Sequence, residues 1–345
     1  MDFIVLFGGN SYEHEISIVS AITLKKELDN ISHFIFVDSA KDIYLIPKDK
    51  MTSKHFSSFG YKKDSRLSIV NGGFEKQCFL KKDILRGVVI NLIHGKSGED
   101  GQIASLMEFY NINYIGPRIE GSVVSFNKEL TKIFAKNRGV NVLDYYILRR
   151  NDDFSFLEQK IPFILKPLRL GSSIGISIVK DKKDIEYALD NSFEFDNALL
   201  AESFISNVRE YNLAGCLVGD EFRLSMIEEV KKDEYFNFDN KYLDFRGDRE
   251  KKEAQLDKEL KNKIIDSFKK LYLNCFEGAI VRCDFFVIDN DVYINEINPV
   301  PGSMSYYLFS NFKDVINSLS NNLPKSKNIA IKYQYISKIQ SQKGK

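Results

Sequence analysis

The stretch 281-VRCDFFVIDNDVYINEINPVPG-302 decides how the last third of this 345-residue chain folds. Two runs of β-branched and aromatic residues flank a short polar break, which predicts a β-hairpin. We take 289–291 as the loop. The predicted cross-strand pairs are then Ile288–Val292, Phe286–Ile294, Asp284–Glu296 and Arg282–Asn298. Because side chains alternate between the two faces of a strand, the four polar residues of the last two pairs are predicted to share one face.

Two carboxylates in directly opposed positions suggest a cation site. Cβ atoms of opposed residues lie about 4.5–5.5 Å apart, and like charges at that distance repel each other. A divalent cation between Asp284 and Glu296 relieves this repulsion, and an all-oxygen ligand set suits magnesium, which also binds substrate phosphates. Two alternatives stay open from the hairpin alone. One is a solvated strand end with acids by chance, and the other is a loop of even length, which moves Glu296 to the other face.

The composition excludes several classes of function. Lys and Arg number 49 against 48 Asp and Glu, so net charge gives no argument for binding nucleic acid or an anionic membrane. No signal-peptide pattern follows Met1, and no apolar run approaches the length of a membrane span. The four cysteines are scattered, which favours reduced thiols in a cytoplasmic protein over a zinc cluster or a disulfide framework.

The N-terminal third reads as strand, glycine turn, helix and strand. Phe3–Phe7 precedes Gly8-Gly9, and a second buried strand ends in a polar turn at His94–Gly101. This order predicts a parallel sheet, whose ligands lie beyond the carboxyl ends of its strands. Glu13 is in the first of these turns and is therefore placed near a ligand. The alternative is that an acid at a helix start only complements the helix dipole.

The middle of the chain contains a glycine- and serine-rich loop, Gly171–Gly175, between two predicted strands. It fits the Gly-x-Ser-x-Gly pattern of serine hydrolases, but a strand follows it instead of a helix, and all four histidines precede it. Such a loop, with Lys166 just before it, can instead cover a nucleotide as a lid and bind phosphate through its backbone N–H groups. An ordinary surface turn remains the alternative from this loop alone.

We expect a chain of mixed α/β and α+β character with three domains. The predicted domains are an N-terminal α/β domain at 1–121, a central lid domain at 122–207, and a C-terminal domain at 208–345 that contains the hairpin. The last domain is predicted to have a long helix near 256–273, and an amphipathic helix at about 305–319 after the hairpin.

Taken together, five short motifs resemble those of ATP-grasp enzymes, and within them of D-alanine–D-alanine ligases. They occur in the right order over nearly the whole chain: Gly8–Ser17, His94–Gly101, Lys166–Gly175, Asn240-Lys241-Tyr242, and Arg282-x-Asp284 with Asn295–Pro299 and Pro301-Gly302. The resemblance implies a three-domain ATP-grasp architecture. It also implies that two D-alanines are joined through a D-alanyl phosphate, with ATP converted to ADP and phosphate, for peptidoglycan synthesis. Asp284, Glu296 and Asn298 would bind two magnesium (or manganese) ions.

The resemblance also assigns residues to the substrates. The ATP-binding set would be Lys128, Lys166, Ser173, Glu202, Phe204, Ile205, Glu210 and Lys241. Glu13 would bind the ammonium of the first D-alanine, and His94 would lie near the acyl phosphate. Ser172 and Tyr242 would latch the lid to Glu13. Arg282 and the Gly302 N–H would stabilise the oxyanion. The resemblance further implies a dipeptide product, because relatives that make D-alanyl-D-lactate lack the Tyr at position 242, and a homodimer formed through the N-terminal region.

One departure from the family pattern concerns the acceptor. Tyr307 stands where relatives usually have a Ser that binds the carboxylate of the second D-alanine. Its phenol could donate that hydrogen bond from another distance, or Ser305 could replace it. A second departure is Ser203, where relatives often have a Lys that contacts adenine.

Overall fold

The computed structural model describes residues 2–76, 83–206, 208–230, 253–325 and 329–342. The described residues form three β-sheets, and their strands are numbered along the sequence. The first sheet has the order β6-β5-β4-β3-β2-β1-β7-β8. Its strands are β1 (Phe3–Gly8), β2 (Ile31–Val37), β3 (Ile43–Ile46), β4 (Ser65–Val70), β5 (Gly73–Lys76), β6 (Asp83–Leu85), β7 (Val88–Asn91) and β8 (Tyr114–Ile115).

The predicted parallel arrangement is confirmed where β1 pairs with β2 and β7, and where β7 pairs with β8. All five residues of Phe3–Phe7 are buried, with alternate side chains in two different core clusters. A strand covered on both faces is therefore apolar throughout. Strands β3 to β6 extend the sheet in antiparallel fashion. The helices of this part are α1 (His14–Glu27), α2 (Ser53–Ser57) and α3 (Gln102–Phe109).

The second sheet is antiparallel, with the order β11-β10-β12-β9. Its strands are β9 (Tyr145–Arg149), β10 (Phe163–Pro167), β11 (Ser177–Val179) and β12 (Ala198–Ser203), and α6 (Ile185–Phe193) packs on it. Two helices precede the sheet, α4 (Ile119–Phe126) and α5 (Lys128–Asn137). Asn127 separates them because its side chain accepts hydrogen bonds from the N–H groups of Glu129 and Leu130 and so caps α5.

The third sheet is also antiparallel and has the order β14-β13-β15-β16. Its strands are β13 (Arg209–Val218), β14 (Glu221–Glu229), β15 (Val281–Ile288) and β16 (Asp291–Asn298). The expected long helix is α7 (Lys258–Tyr272), whose apolar face packs on the same core as the sheet. Within the described ranges, no helix is long and apolar enough to cross a membrane.

The hairpin register predicted near the turn is wrong. The turn has two residues, Asp289 and Asn290, both left-handed with φ of 48° and 69°, so Ile288 pairs with Asp291 instead of Val292, and Phe286 pairs with Tyr293 instead of Ile294. Two left-handed residues are typical of a type I′ turn. A β-bulge at Asn295 then adds one residue to β16 and restores the predicted Asp284–Glu296 and Arg282–Asn298 pairs.

The amphipathic helix predicted at about 305–319 after the hairpin is present, but its predicted start is wrong. A 3₁₀ segment, Gly302–Leu308, comes first, and α8 (Phe312–Asn321) begins after Asn311, whose side chain caps it. Ser303, Met304 and Ser305 have left-handed φ angles within the first segment, and such residues cannot continue an α-helix. The last described helix is the exposed α9 (Ile336–Gln342).

Candidate active site

The polar face of the β15–β16 hairpin is held together by Asp284, which is 2 % exposed. Arg282 donates two hydrogen bonds to it, from Nε to Oδ1 at 2.7 Å and from Nη2 to Oδ2 at 2.8 Å, and Asn298 Nδ2 donates to Oδ2 at 3.0 Å. Burial alone would lower the pKa of Arg282, but the Asp284 carboxylate raises it well above its usual value. The guanidinium therefore stays charged beside Asp284.

The predicted metal ligands lie together on this face. Asp284 and Glu296 are cross-strand partners, and Asn298 is two residues further on. Among the described residues, no group of three or more His, Cys, Asp and Glu side chains forms a metal cluster. Two carboxylates and an amide still fit magnesium, which usually takes one or two protein carboxylates and completes its shell with water and phosphate.

Asn212 is a neighbour of this set that sequence reasoning missed. It pairs with Asp284 from β13 and donates from Nδ2 to Glu228 Oε2 at 3.2 Å, while its buried Oδ1 has no hydrogen-bond partner. An orphaned buried oxygen beside a carboxylate suits a cation or its bound water. The available signal was its spacing of two residues from Glu210, which puts both side chains on one face of β13.

Lys166 connects the second sheet with the hairpin. Its Nζ lies 2.7 Å from Glu202 Oε2 and donates to Asn295 Oδ1 at 3.0 Å. Burial alone would lower the pKa of Lys166, but the Glu202 carboxylate raises it. Its Nζ is also 5.9 Å from the centroid of the Phe286 ring, and Phe286 pairs with the buried Glu210. Asn295, the bulge residue, therefore connects Lys166 and its partner Glu202 to the hairpin, and strand pairing places Glu210 beside it.

The glycine loop lies against the N-terminal sheet. Ser172 and Ser173 have left-handed φ angles of 57° and 59°, and the Ser172 hydroxyl donates a short hydrogen bond to Glu13 Oε1. A Cβ on Gly171 would approach that oxygen to 3.1 Å, so glycine permits the close contact. Lys128 Nζ donates to the carbonyl of Leu170 at the start of the loop, and burial lowers the pKa of this lysine.

Three titratable groups meet at the edge of the first sheet. Burial, together with the charge of Glu99, raises the pKa of Glu13 to about 7, and the buried Glu13 Oε2 has no hydrogen-bond partner. Burial lowers the pKa of His94 to about 4, so its imidazole is neutral, and its Nε2 is 3.2 Å from Ser20 Oγ. Burial also raises the pKa of Glu99, which sequence reasoning did not assign, to about 8. This pocket can bind a cationic group at Glu13.

The residues predicted for the acceptor lie in the 3₁₀ segment after the hairpin. Ser305 is fully buried, and its hydroxyl has no hydrogen-bond partner. The Tyr307 hydroxyl is hydrogen-bonded to Arg282, and burial raises the pKa of the phenol to about 12. A Cβ on Gly302 would meet nothing within 4 Å, so a close approach does not require glycine there. Arg282 thus contacts both the predicted metal ligand Asp284 and the predicted acceptor residue Tyr307.

Other predicted residues are only partly placed. Phe204 follows β12, and its N–H donates to the carbonyl of Pro162 at 3.0 Å. Ile205 is half-buried beside it. Lys241 and Tyr242 lie outside the described residues, so the predicted Tyr242 part of the lid latch has no structural description.

Comparison with known proteins identifies the family. The chain matches the sequence models for the D-ala D-ala ligase N-terminus over residues 2–117 and the D-ala D-ala ligase C-terminus over residues 134–316. It is 56 % identical over 346 residues to the D-alanine–D-alanine ligase of Campylobacter jejuni, and 53 % identical over 352 residues to that of Helicobacter hepaticus, with each chain covered completely. The crystal structure of D-alanine–D-alanine ligase from Helicobacter pylori is similar, with a TM-score of 0.85 and 47 % identity over 95 % of this chain and 100 % of that one. The chain therefore belongs to the D-alanine–D-alanine ligase family.

Proposed function

We propose that this protein ligates two D-alanines to D-alanyl-D-alanine with ATP, in the cytoplasm, as a step in making peptidoglycan precursors. The contact of Lys166 with Asn295 is the observation on which this proposal depends. It brings a buried lysine, which can bind phosphate, to the hairpin that contains Asp284 and Glu296. A lysine and two carboxylates at one cleft are the parts that phosphoryl transfer needs for positioning and charge stabilisation.

ATP is proposed to lie between the second and third sheets. Lys128 and Lys166 are assigned to its phosphates, and Ser173 and Lys241 are assigned to ATP binding. Glu202, Glu210 and the backbone of Phe204 and Ile205 are assigned to adenosine. Lys128 supports this assignment, because its ammonium donates to a backbone carbonyl at the start of the loop, Leu170 O, and phosphate oxygens are stronger acceptors than a carbonyl. When ATP enters, Lys128 exchanges this carbonyl for phosphate beneath the loop.

Two magnesium (or manganese) ions are proposed at Asp284, Glu296 and Asn298. When bound, they would neutralise the charge of the phosphates. The protein itself holds Asp284 through Arg282 and Asn298, so that the carboxylate is oriented before any ligand arrives. The unpaired Asn212 Oδ1 gives a further oxygen at this edge.

The first D-alanine is proposed to bind with its ammonium at Glu13. A carboxylate oxygen of this D-alanine attacks the γ-phosphorus of ATP, ADP leaves, and D-alanyl phosphate forms. The loop that contains Ser172 closes this site, because its hydroxyl is bonded to Glu13. Exclusion of water protects an acyl phosphate from hydrolysis. The neutral His94 near Glu13 avoids a competing positive charge where the ammonium binds.

The second D-alanine is proposed to bind near Ser305 and Tyr307. Its amine attacks the acyl carbon, an oxyanion forms against Arg282 and the Gly302 N–H, and phosphate leaves as the peptide bond forms. The presence of Tyr307 at this position favours a second candidate, a ligase of the same type with another acceptor. D-alanine, D-serine and D-lactate offered singly as acceptors, with mass detection of the product, separate the two possibilities.

A homodimer is proposed through the N-terminal region. Leu106 and Phe109 on α3 and Val123 on α4 are large apolar side chains that are exposed, with Phe109 at 79 %. Exposed apolar residues of neighbouring helices suit an interface between subunits. Sedimentation of wild-type protein and Phe109→Asp tests this, and an unchanged mass would contradict it.

The central experiment measures ADP, phosphate and D-alanyl-D-alanine formed from ATP, magnesium and D-alanine. One dipeptide for each ADP is expected. ADP release only with another amine would favour the second candidate. Folded protein that gives no ADP with any acceptor would overturn the proposed function.

A further inference from the structure

Lys132 is a buried lysine to which the sequence assigns no role. It lies on α5, is 3 % exposed, and its Nζ forms a short ion pair with Glu202 Oε1. The other oxygen of the same carboxylate is paired with Lys166 Nζ at 2.7 Å. One buried carboxylate is therefore shared by two ammonium groups from different elements.

The position of Lys132 is set by the fold around it. It follows Lys128 by four residues on α5, so both lysines extend from the same face of the helix. The Lys132 ammonium also lies 5.5 Å from the centroid of the Tyr145 ring, and Tyr145 on β9 pairs with Glu202 on β12. Helix α5 thus reaches two parts of the proposed ATP site, with Lys128 at the glycine loop and Lys132 at Glu202.

The charge balance explains why a second lysine matters. A single pair of Lys166 and Glu202 is neutral, whereas Lys132 brings a second positive charge to the same carboxylate; the carboxylates of Glu296 and Glu210 also act on Lys166 from the third sheet. Buried charges are stable only when they are paired and hydrogen-bonded, and a carboxylate shared by two ammonium groups compensates each of them only in part, so Lys132 weakens the hold of Glu202 on Lys166. ATP is polyanionic, and Lys166 faces the hairpin where its phosphates are proposed to lie.

We propose that Lys132 is a positioning residue for ATP: it holds the Glu202 carboxylate in place and shares its charge, which leaves the charge of Lys166 available to the nucleotide phosphates. Lys132 itself does not touch the reacting atoms. This inference rests on the proposed function, in which Lys166 and Glu202 contact ATP.

The test compares Lys132→Met with Lys136→Met, which removes an exposed lysine one turn further along the same helix. We expect Lys132→Met to raise the Kd for ADP, measured by calorimetry with magnesium, and the KM for ATP by about tenfold, because it breaks one partner of a buried charge pair. The KM for D-alanine should stay within about twofold, Lys136→Met should match wild type, and Lys132→Arg should recover most of the affinity because it keeps the charge. Thermal melts without ligand identify any unfolded variant, and Lys132→Gln then replaces Lys132→Met.

A double-mutant cycle tests whether Lys132 acts through Glu202. In a Glu202→Gln background, Lys132→Met should cause no further loss of ADP affinity, because effects on one shared contact do not add. Wild-type ADP affinity in folded Lys132→Met, an equal rise in both KM values, or full additivity in the cycle would overturn the inference. If Lys166→Met and Glu202→Gln also bind ADP normally, the proposed ATP site itself is wrong. If Lys132→Met alone binds ADP normally, while Lys166→Met and Glu202→Gln do not, the proposed ATP site is supported and this inference is wrong.

Discussion

Asp284 lies directly opposite Glu296 because two irregularities in the hairpin compensate each other. The turn is one residue shorter than predicted, and the bulge at Asn295 adds one residue to β16. Without the bulge, Glu296 would lie on the opposite face of the sheet, since a shift by one residue reverses the face of every following side chain. The bulge also places Asn295 within 3.0 Å of Lys166 Nζ. One inserted residue therefore sets both the carboxylate pair and its contact with the second sheet.

Asp284→Asn and Glu296→Gln are each expected to lower kcat by at least about 100-fold, because loss of an anionic ligand removes several kcal/mol of charge stabilisation. The rate of ADP release at saturating magnesium measures this, and unfolding melts confirm that the fold is kept. Asp291→Asn, at the exposed start of β16 far from the site, is the control and should match wild type. Wild-type turnover in either site variant would remove these carboxylates from the mechanism.

Asn295→Ala is expected to raise the KM for ATP by about tenfold, because hydrogen bonds to charged groups contribute about 1.5–3 kcal/mol. The bulge itself should remain, so kcat should fall much less than in Glu296→Gln. Steady-state kinetics with ATP as the varied substrate measure the effect. An unchanged KM would show that the contact with Lys166 does not matter for nucleotide binding.

Ser172→Ala is expected to loosen the glycine loop from Glu13 and admit water to the acyl phosphate. The ratio of ADP formed to dipeptide formed should then rise above one, at a lower dipeptide rate. Ser177→Ala is the control, because Ser177 lies after the same loop and bonds to Asn191 and Ser192 instead. A ratio that stays at one in Ser172→Ala would contradict the role of the hydroxyl as a latch.

The raised pKa of Glu13, about 7, predicts opposite effects of pH on binding and on stability. The carboxylate must be ionised to bind an ammonium, so the affinity for the first D-alanine should rise as pH increases through 7. In the absence of ligand, the folded state holds this proton more tightly than the unfolded state. Stability should therefore fall as pH rises from about 4.5 to about 7, by up to about 3 kcal/mol.

Unfolding midpoints of Glu13→Gln and Glu15→Gln between pH 5 and pH 8 measure the stability effect. The Glu13 variant should lose this part of the pH dependence and gain stability at pH 8 relative to wild type. The exposed Glu15 lies two residues away and is the control, which should behave like wild type. Parallel pH curves for Glu13→Gln and wild type would be inconsistent with a buried Glu13 that titrates near neutrality.

Tyr307→Phe is expected to raise the KM for the second D-alanine several-fold and leave the KM for ATP unchanged, because it removes the hydroxyl beside Arg282 and keeps the ring. Initial rates at varied D-alanine separate the two substrate sites. Ser305→Ala, measured in the same way, shows which hydroxyl binds the carboxylate. If neither variant changes either KM for D-alanine, the acceptor site lies elsewhere.

The sequence by itself determined the parts of the protein that depend on local pattern. The apolar run Phe3–Phe7 had to be a strand covered on both faces, and its glycine turn put Glu13 at a carboxyl end. Alternation along β15 put Arg282 and Asp284 on one face, and the order of the motifs placed the chain in its family. These features depend on residues that are close to one another in the chain, and such local patterns can be recognised in a single sequence.

Tertiary structure alone decided what depends on distant partners. The pairing of Lys132 with Glu202, of Lys166 with Asn295, and of Asn212 with Glu228 joins residues 16 to 129 positions apart. No periodic pattern of residues marks the bulge at Asn295 or the left-handed residues after Gly302, because packing against other elements selects these conformations. Burial then set the pKa values of Glu13 and His94, since the cost of removing a charge from water depends on everything that surrounds it.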